Sequence, residues 1–568
     1  MYGKAGTAAG AGMVASPLFE AYLRQLIPAE SVALLLSPKS SFSERAQTME
    51  ALLRSEAGQR LRNELGTWIV RLLRVDYLVP QSYAKWRPLV ADCMLFMSSH
   101  LSDARLAPKL VEQMDLPADT PAEVRLLRLI AKVPGLQKLG QVLARNRHLV
   151  APLRRALSEL ENGISDVEIA QIRTIIVEEL GPRLEACKVE IAPVIFCEAS
   201  VSAVVRFTWW NPKLRARERG VFKVMKPYVA ACYAEDMRLL GELASFLGSK
   251  HHEYQVAARG ISDTFREVRQ LLEHEVHFLR EQTTLVRAAR LYASVPGVRV
   301  PRVIPPLCTS KITAMTEEAG KKVPDAVVRM TARDRRRVAE QLIEALIAVP
   351  LSAPGGAVLF HADPHAGNLL YNRKTGELVL LDWALAERLT LAQRRHLALL
   401  FLMVSLRDAV GVCREINALM RNSVHNRRQH KIIRGCVDEF LDDLPLTTLP
   451  NSVDAMALLE RIAYEGVHFP AALIMLRKMT FTLDGILHDV AGRNASMEFV
   501  IARRILRDWT AKFENFGAPL SWRDWLLVQC SLFLCGGRLW VQWAERKLAR
   551  IGSGREAAPR MQPARSTV

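Results

Sequence analysis

The sequence predicts a two-lobed α+β fold, in which a small β-rich lobe precedes a mainly helical lobe. Short β-rich segments occur at 189–196, 201–209 and 221–225, after a long stretch with helical periodicity. The charged run 213–219 predicts a hairpin loop, helical stretches follow at about 231–247 and 261–292, and strand character returns at 298–304 and 311–315. From about residue 324 onward most segments again show helical periodicity, with one β-like interruption at 369–384 that contains a turn at 374–376. Strands followed by helices, with a single later hairpin, are typical of an α+β domain.

The composition supports a folded protein with an anionic partner. Half of the 568 residues are hydrophobic, which is enough for a core and excludes wholesale disorder. Lys and Arg number 77 against 59 Asp and Glu, and the net charge of +18 favours phosphates, nucleic acid or an acidic membrane. The Arg-rich pieces at 333–337 and 427–431 are short and accompany no nucleic-acid motif, so we expect no nucleic-acid partner.

The cysteines indicate a reducing compartment. The nine cysteines include no CxxC pair and no Cys/His cluster with zinc spacing, which argues against a disulfide scaffold and a structural zinc module. Residues 1–15 are rich in Gly and Ala and lack the apolar stretch of a secretory signal. We therefore expect a cytoplasmic protein.

Local signals divide the chain into seven segments. Ser41 with Glu44 forms a possible capping box, Pro117 and Pro121 mark a linker, and Gly181-Pro182 is a strong helix terminator. The predicted segments are a disordered lead (1–15), a helical N-terminal region (16–120), a helical extension (121–185), a β-rich N-lobe (186–322), a helical C-lobe (323–505), C-terminal hydrophobic helices (506–551) and a disordered tail (552–568).

The stretch from Phe360 to Tyr371 carries the most specific chemical pattern. Phosphoryl transfer needs one carboxylate to orient the attacking hydroxyl, and a carboxylate and an amide oxygen to hold Mg²⁺. Kinase catalytic loops place the metal-binding Asn five residues after the catalytic Asp, with a second metal Asp on a later strand. Asp363 and Asn368 have that spacing, and Asp382 follows after a hydrophobic run and a turn. The same string also suits an ordinary turn, since Asp-Pro and Gly-Asn are common turn dipeptides.

A kinase also needs a strand-borne Lys that is paired with a helical Glu. Lys223 lies inside a β-like run, whereas Lys226 stands near the strand end and on the opposite face, so we favour Lys223. The following helical stretch offers Glu273, Glu275 and Glu281, and periodicity alone does not choose among them.

Taken together, these residues resemble the UbiB/ADCK (AarF-type) atypical kinases over about residues 122–490. The matching pieces are Lys138-Leu-Gly140-Gln141 (the KxGQ motif), Glu198–Arg206 (the Ala-rich loop), Val221–Pro227 (the VKVQRP strand), Glu275–Glu281 (the ExD…E helix), Ala314–Gly320 (the hinge), His361–Asn368 (HADPHPGN) and Thr482–Leu487 (a C-terminal segment).

The resemblance implies a protein-kinase-like fold that uses ATP and Mg²⁺. It makes Asp363 catalytic, Glu281 the partner of Lys223, and Asn368 and Asp382 the metal ligands. It implies nucleotide contacts at Ala199, Ser200, Val201, Ser202, Lys223, Met315, Thr316 and Glu317. It also implies a regulatory group made of Lys138, Gly140, Gln141 and Glu275, which restricts the access of a protein substrate.

Several positions depart from the family pattern. The family's LDFG is Leu381-Asp-Trp-Ala384 here, and an Ala in place of Gly restricts the backbone. Ser202 and Ala203 replace the usual Gly and Gln of the Ala-rich loop. Other departures are Thr316 in the hinge, Ala366 in HADPHAGN and His277 in the ExD motif. The predicted metal ligands and the Lys are all retained.

Residues 525–544 are long enough to span a bilayer, and 14 of the 20 are apolar. Arg538 lies near the middle of this segment, and a central Arg costs about 2.5–3.5 kcal/mol on insertion scales. A membrane span, an interfacial helix and a helix packed on the kinase core are all compatible with the segment, and we favour the last two. We therefore expect the cytoplasmic protein to be membrane-associated.

The pattern as a whole predicts a UbiB-like atypical kinase or ATPase that supports ubiquinone or lipid metabolism, with membrane lipids or quinone-pathway proteins as partners. One alternative is a small-molecule phosphotransferase of the aminoglycoside/choline-kinase type, against which KLGQ and the Glu275–Glu281 helix argue. Another is a catalytically weak nucleotide-binding scaffold, which the altered Ala-rich loop and Asp-Trp-Ala favour.

Overall fold

The structure, a computed structural model, describes residues 24–510 with gaps at 26, 38, 57, 80–83, 85, 118, 145–165, 256–257, 421–426, 445–449 and 493–495, and also residue 526. The predicted disordered ends and, apart from Leu526, the hydrophobic segment 525–544 lie outside the described residues. The chain divides into a first unit, 1–282 with 303–317, and a second unit, 283–302 with 318–568. The predicted segment boundaries stay predictions.

Helices make up most of the first unit. They are α1 Ala29–Leu36, α2 Phe42–Arg54, α3 Gly58–Leu72, α4 Val75–Leu78, α5 Arg87–His100, α6 Asp103–Asp115, α7 Ala122–Ile130, α8 Pro134–Ala144, α9 Ile169–Leu180, α10 Pro182–Ala186, α11 Pro227–Ser249 and α12 Ala258–Val276. Helix α13, Phe278–Tyr292, belongs to the first unit as far as Gln282.

Two local signals in the helical part act as the sequence indicates. Ser41 and Glu44 form a capping box at the start of α2, where the Ser41 side chain accepts the Glu44 N–H. Gly181 ends α9 at φ +47°, in a conformation that favours glycine, and Pro182 begins α10.

One apolar core joins the N-terminal helices to α11 and α12. Buried side chains from α1 to α7, such as Leu35, Met49 and Leu110, pack in the same cluster as Leu239 and Leu243 of α11. Burial of apolar surface is the dominant stabilising term in folding, so α11 and α12 depend on the N-terminal helices for part of their core.

The sheet of the first unit has the order β1-β2-β3-β5 and is antiparallel throughout. Its strands are β1 Glu190–Glu198, β2 Ser202–Asn211, β3 Ala216–Met225 and β5 Ile312–Thr316. Its inward side chains, among them Phe207 and Phe222, form a second core with Ile172 and Ile176 of α9. The charged run 213–219 is only partly the expected loop, because β3 begins at Ala216 and pairs with β2 down to Asn211.

The second unit combines helices with two small sheets. Its helices are α14 Val323–Val327, α15 Ala332–Ile343, α16 Val349–Ser352, α17 Leu391–Leu406, α18 Ala409–Leu419, α19 Arg427–Asp443, α20 Ser452–Tyr464, α21 Ala471–Ala491 and α22 Met497–Thr510, with a π-helix at Glu344–Ala348. Its strands are β4 Val298–Arg299, β6 Lys321–Lys322, β7 Ala357–His361, β8 Leu369–Asn372, β9 Glu377–Leu380 and β10 Ala386–Thr390.

The strand pairing of the second unit fixes the ends of the loop that contains Asp363. One sheet has the order β4-β9-β8-β6, and β7 pairs with β10 in the other. The predicted turn before β9 is present, with Gly376 at φ +72°. Strand β7 leads into the loop that contains Asp363, and the β8–β9 hairpin connects Asn368 to Asp382.

Two expected elements are wrong in extent. The predicted continuous helix at 261–292 is interrupted at His277, between α12 and α13. The expected strand at 298–304 is limited to Val298–Arg299, with a further isolated bridge from Val303 to Met315.

Among the described residues, no helix is both long and apolar enough to cross a membrane, and seven cysteines are present as free thiols.

Candidate active site

Lys223 and Glu281 form a buried ion pair in the first unit. Lys223 lies on β3 between Val204 of β2 and Thr313 of β5, and its Nζ is 2.7 Å from Oε1 of Glu281. The two side chains are 11% and 2% exposed. Glu281 lies in the first turn of α13, where the helix dipole favours a negative charge. This contact fixes the orientation of the Lys223 side chain.

Lys226, the competing candidate, has a different environment. It follows the end of β3 and precedes α11, and its Nζ lies 2.7 Å from Asp166 Oδ1 and 2.9 Å from Glu198 Oε2. The Tyr228 hydroxyl donates to the other oxygen of Asp166 at 2.9 Å, and burial raises the pKa of Tyr228. Lys226 therefore joins three chain segments in a buried cluster apart from Glu281.

The structure separates the three candidate glutamates. Glu273 is exposed, and Glu281 binds Lys223. Glu275, on α12, binds Lys138 of α8 through Oε1 and accepts a hydrogen bond of 3.0 Å from the Ser200 hydroxyl through Oε2. The KxGQ-like helix is thus connected to the Ala-rich loop through one carboxylate.

The rest of the KxGQ-like motif is buried beside that contact. Lys138 is 7% exposed and Gln141 6%, and Gly140 is also buried. Charged and amide side chains are rarely this buried unless they are paired, so the motif is not the solvated helix face that a KLGQ string alone would permit.

The Ala-rich loop makes a tight turn before β2. The Ala199 N–H donates to the Ser202 carbonyl at 2.8 Å, and the Val201 carbonyl accepts the Lys226 N–H at 3.0 Å. Ser200, Val201 and Ser202 are all buried. The Ser200 hydroxyl is directed to Glu275, so this predicted nucleotide contact already has a protein partner.

The predicted hinge residues continue from β5 on the edge of the same sheet. Met315 and Thr316 pair in register with Val221 and Gly220 of β3. Glu317 accepts a hydrogen bond of 2.7 Å from Arg206 Nε, and its own N–H donates to the Arg219 carbonyl. All three predicted hinge residues are half-buried.

In the second unit, His361 orders the loop that contains Asp363. His361 is fully buried, and its Nδ1 accepts the Asp363 N–H at 3.2 Å, so Nε2 carries the proton and donates to the Leu381 carbonyl at 2.8 Å. Burial lowers the pKa of His361. A neutral imidazole therefore ties the chain before Asp363 to the residue that precedes Asp382.

Asn368 is held on the same loop. Its Nδ2 donates to the Asp363 carbonyl at 3.1 Å, and its backbone carbonyl accepts the Leu381 N–H at 2.8 Å. Because the amide nitrogen is used in this way, the side-chain oxygen of Asn368 is the atom left for a metal ion.

Asp382 completes the predicted metal site. Its backbone has φ +50°, a conformation uncommon outside glycine but tolerated best by Asn and Asp, and it is exposed. Its Oδ1 accepts the Ala384 N–H at 3.2 Å. One carboxylate and one amide oxygen are hard donors that fit Mg²⁺, which is usually held by one or two carboxylates and the phosphates of its nucleotide. No cluster of three His, Cys, Asp or Glu residues suited to a metal occurs among the described residues.

Trp383 anchors the residue next to Asp382. Its indole is fully buried, its Nε1 donates to the Leu380 carbonyl at 3.2 Å, and its ring packs edge-on against His361 and tilted against Tyr292. The second unit therefore accommodates Trp383 in place of the Phe of the family pattern, because the larger ring is packed and its N–H has a hydrogen-bond acceptor.

Three residues near the site escaped the sequence reasoning. Gln282, next to Glu281, donates to the Thr309 and Ile312 carbonyls and so attaches α13 to the start of β5. The motif at 361–368 includes His361 but indicates no role for it, and no local pattern marks Asp236. The sequence holds no signal for Gln282 or Asp236, because both bind partners distant along the chain.

Comparisons with known proteins identify the kind of domain that this chain contains. Residues 159–416 match the family model of the ABC1 atypical kinase-like domain. The chain therefore contains a kinase-like domain of the atypical class, and the predicted kinase-like fold is confirmed to that extent. The predicted C-terminal hydrophobic helix stays a prediction.

Three proteins of known sequence are similar to this chain over at least half of its length. A probable protein kinase UbiB from Actinobacillus pleuropneumoniae is 25% identical over 51% of this chain and 53% of its own length. The chloroplastic protein ACTIVITY OF BC1 COMPLEX KINASE 7 of Arabidopsis thaliana is 25% identical over 62% and 50%, and an uncharacterised Synechocystis protein is 24% identical over 63% and 60%. These matches confirm the predicted resemblance to the UbiB/ADCK family.

The chain spans about half to three fifths of the length of these three relatives. A solved Mycobacterium tuberculosis protein, determined in complex with erythromycin, aligns at a TM-score of 0.42 and 16% identity over 65% of this chain and 90% of that one.

Proposed function

We propose that this protein is a Mg²⁺-dependent, ATP-binding atypical kinase or ATPase. The observation that carries the proposal is the buried pair of Lys223 and Glu281. Burying an ion pair costs desolvation free energy that its mutual attraction often does not repay, so such a pair is weak evidence for stability alone. In a kinase the same pair positions the ATP phosphates, which supplies a functional reason for it.

The second unit carries its own candidate groups. Asp363 would orient the nucleophile, either water or a hydroxyl, and Asn368 and Asp382 would hold Mg²⁺. The bound metal would neutralise charge that develops on the phosphates. The hydrogen bonds of His361 and Asn368 order the backbone of this loop, which supports the proposal because preorganised groups lower the cost of catalysis.

The possible activities differ in the molecule that accepts the phosphoryl group. The Ser200 hydroxyl is bound to Glu275, and Lys138 covers the other oxygen of that carboxylate, which favours a regulated hydrolase over an open small-molecule phosphotransferase. Rapid turnover of one soluble acceptor would favour the phosphotransferase instead. Nucleotide binding without turnover, unaffected by Asp363→Asn, would favour the scaffold.

We also propose that the protein contacts anionic membranes in support of ubiquinone or lipid metabolism. The β2–β3 hairpin supports this, since Lys213, Arg215 and Arg219 are exposed and have no carboxylate partner among the described residues. Leu214 at its tip is 57% exposed, and Trp210 is 38% exposed. Cations that surround an apolar tip match the charge of phospholipid headgroups and the apolar layer beneath them.

The deciding experiment measures thermal stability with and without Mg·ATP. A ligand that binds only the native state stabilises it by about 2.7 kcal/mol at 100 times its Kd, so the midpoint must rise if the nucleotide binds. We expect a rise in the wild type and its loss in Asp382→Asn. No rise at millimolar nucleotide in a folded wild-type protein would reject the proposal.

A further inference from the structure

The N-terminal helices contact the KxGQ-like helix through one buried carboxylate, Asp236. Asp236 lies on α11 and is 2% exposed. Its Oδ2 accepts the Gly135 N–H at 2.7 Å, in the first turn of α8. The first four N–H groups of a helix lack partners within the helix, so this bond secures the start of α8.

Gly135 permits this close approach. A Cβ at that position would lie 3.1 Å from Leu240 Cδ1 and 3.4 Å from Asp236 Oδ2. An added Cβ would therefore be closer to Leu240 than an ordinary van der Waals contact, and the Leu240 side chain would have to shift by a few tenths of an ångström.

Arg105 of α6 neutralises the same carboxylate. Its Nη1 lies 2.7 Å from Asp236 Oδ1 and 3.0 Å from Glu235 Oε2. Glu235 in turn accepts the Ser102 N–H at 2.7 Å and the Ser102 hydroxyl at 3.1 Å, at the start of α6. Burial raises the pKa of Asp236, so the carboxylate depends on Arg105 for its charge.

The secured helix carries Lys138 one turn further along. Residues three apart lie on neighbouring positions of a helix surface, so the start of α8 and Lys138 move together. Lys138 binds Glu275, whose other oxygen holds Ser200 of the Ala-rich loop. Contacts therefore run without interruption from Arg105 to Ser200, all within the first unit.

We propose that Arg105 and Asp236 are positioning residues through which the N-terminal helices α1–α7 hold Lys138 on Glu275 and so set nucleotide affinity. Arg105 lies outside residues 159–416, which match the kinase-like domain, so the proposal would give the N-terminal helices a role in regulation. The nucleotide consequence rests on the proposed function, whereas the positioning itself does not.

The direction of the effect follows from charge. When α8 is released, Glu275 loses its cation and leaves a net negative charge next to the loop predicted to meet the phosphates. Repulsion between this charge and the ATP phosphates weakens binding, and about 1 kcal/mol, the Coulomb energy of two unit charges about 4 Å apart in water, corresponds to about fivefold. We therefore expect Arg105→Gln to raise the KM for ATP about fivefold, with kcat changed less.

The test combines two readouts on the full chain. Hydrogen exchange at the α8 amides reports positioning without any nucleotide, and steady-state kinetics report the KM for ATP. Arg105→Gln and Gly135→Ala should both speed exchange in α8 and raise KM, while Arg105→Lys should retain most of the wild-type behaviour. In a Lys138→Met background, Arg105→Gln should leave KM unchanged, because contacts in one network are not additive.

Arg45→Gln is the matched control. The Arg45 side chain is 7% exposed and pairs with Asp115 of α6, whose side chain is 30% exposed, and this pair does not include α8. The Arg45→Gln variant should lower stability without a specific change in α8 hydrogen exchange or in the KM for ATP. Equal α8 exchange in Arg45→Gln and Arg105→Gln, or additive KM effects with Lys138→Met, would overturn the positioning role. If the wild type binds no nucleotide, the proposed function fails, and the exchange measurements still decide the positioning role. Should Arg105→Gln not fold, Gly135→Ala, which removes no charge, decides in its place.

Discussion

The Nζ of Lys223 lies 2.7 Å from Oε1 of Glu281, although 58 positions separate the two residues in the chain. Removal of one partner from a buried pair leaves the other charge uncompensated, at a typical cost of about 3–5 kcal/mol. Replacement of both by apolar residues is often neutral. The pair can therefore be tested separately for stability and for nucleotide binding.

We expect Lys223→Met and Glu281→Met each to lower the unfolding midpoint, and the double variant to recover most of the loss. The double variant should still fail to gain stability from Mg·ATP, since the phosphate contact is absent. Thermal melts with and without nucleotide provide the measurement. A double variant that binds Mg·ATP as the wild type does would remove Lys223 from the phosphate site.

Lys226→Met should act on stability rather than on nucleotide binding. It leaves Asp166 and Glu198, with side chains 6% and 5% exposed, without their cation. The free energy of unfolding should fall by about 3–5 kcal/mol, as measured by denaturant titration. The folded fraction should keep the wild-type affinity for Mg·ATP, and a loss of affinity at unchanged stability would contradict this assignment.

Variants of Asp382 separate metal binding from backbone strain. Asp382→Asn keeps a residue type that tolerates φ +50° but removes the charge, so it should fold normally and lose Mg²⁺-dependent stabilisation. Asp382→Ala should lose the same stabilisation and also lower unliganded stability by about 1 kcal/mol, because Ala pays the left-handed strain. Equal Mg·ATP stabilisation in wild type and Asp382→Asn would exclude Asp382 as a ligand.

His361 should make stability depend on pH. Burial places its pKa in the folded protein below the ordinary value of 6.5, so the unfolded chain binds more protons at lower pH. Its contribution is complete above pH 6.5 and is lost as the pH falls from there through the folded-state pKa, with a slope of at most about 1.4 kcal/mol per pH unit. We expect the stability difference between wild type and His361→Asn to shrink as the pH falls below 6.5. A difference independent of pH would show that His361 does not titrate between the two states.

The β2–β3 hairpin should bind anionic vesicles. Lys213→Glu with Arg215→Glu should reduce cosedimentation with phosphatidylglycerol vesicles by at least tenfold, since each cation near such a surface contributes about 1 kcal/mol. Neither protein should bind phosphatidylcholine vesicles. Arg373→Glu with Lys374→Glu, in the exposed turn of the β8–β9 hairpin, is the matched control with the same change of charge. Equal losses in both double variants would indicate net charge rather than a hairpin site.

The sequence could predict those parts of the site that depend on contacts between residues a few positions apart. The loop from His361 to Asn368 is ordered by hydrogen bonds between residues two to five positions apart, such as Asn368 Nδ2 to the Asp363 carbonyl. The capping box at Ser41 and the Gly181 terminator are equally local, and the structure contains both. The expected helix at 261–292 failed because nothing in its periodicity marks the interruption at His277.

The sequence by itself determined the kinase-like class, the spacing of Asp363, Asn368 and Asp382, and the choice of Lys223 as a strand residue. These depend on residue type and on periods of a few residues. The family resemblance already implied that Glu281 pairs with Lys223 and that Glu275 groups with Lys138, whereas periodicity did not choose among the glutamates. Only the tertiary structure shows which oxygens of these carboxylates are bound, and that Asp236 joins the N-terminal helices to α11 and α8. Those choices depend on which surfaces meet when distant apolar faces are buried together, and a helix with several glutamates gives no local sign of which one will meet a lysine.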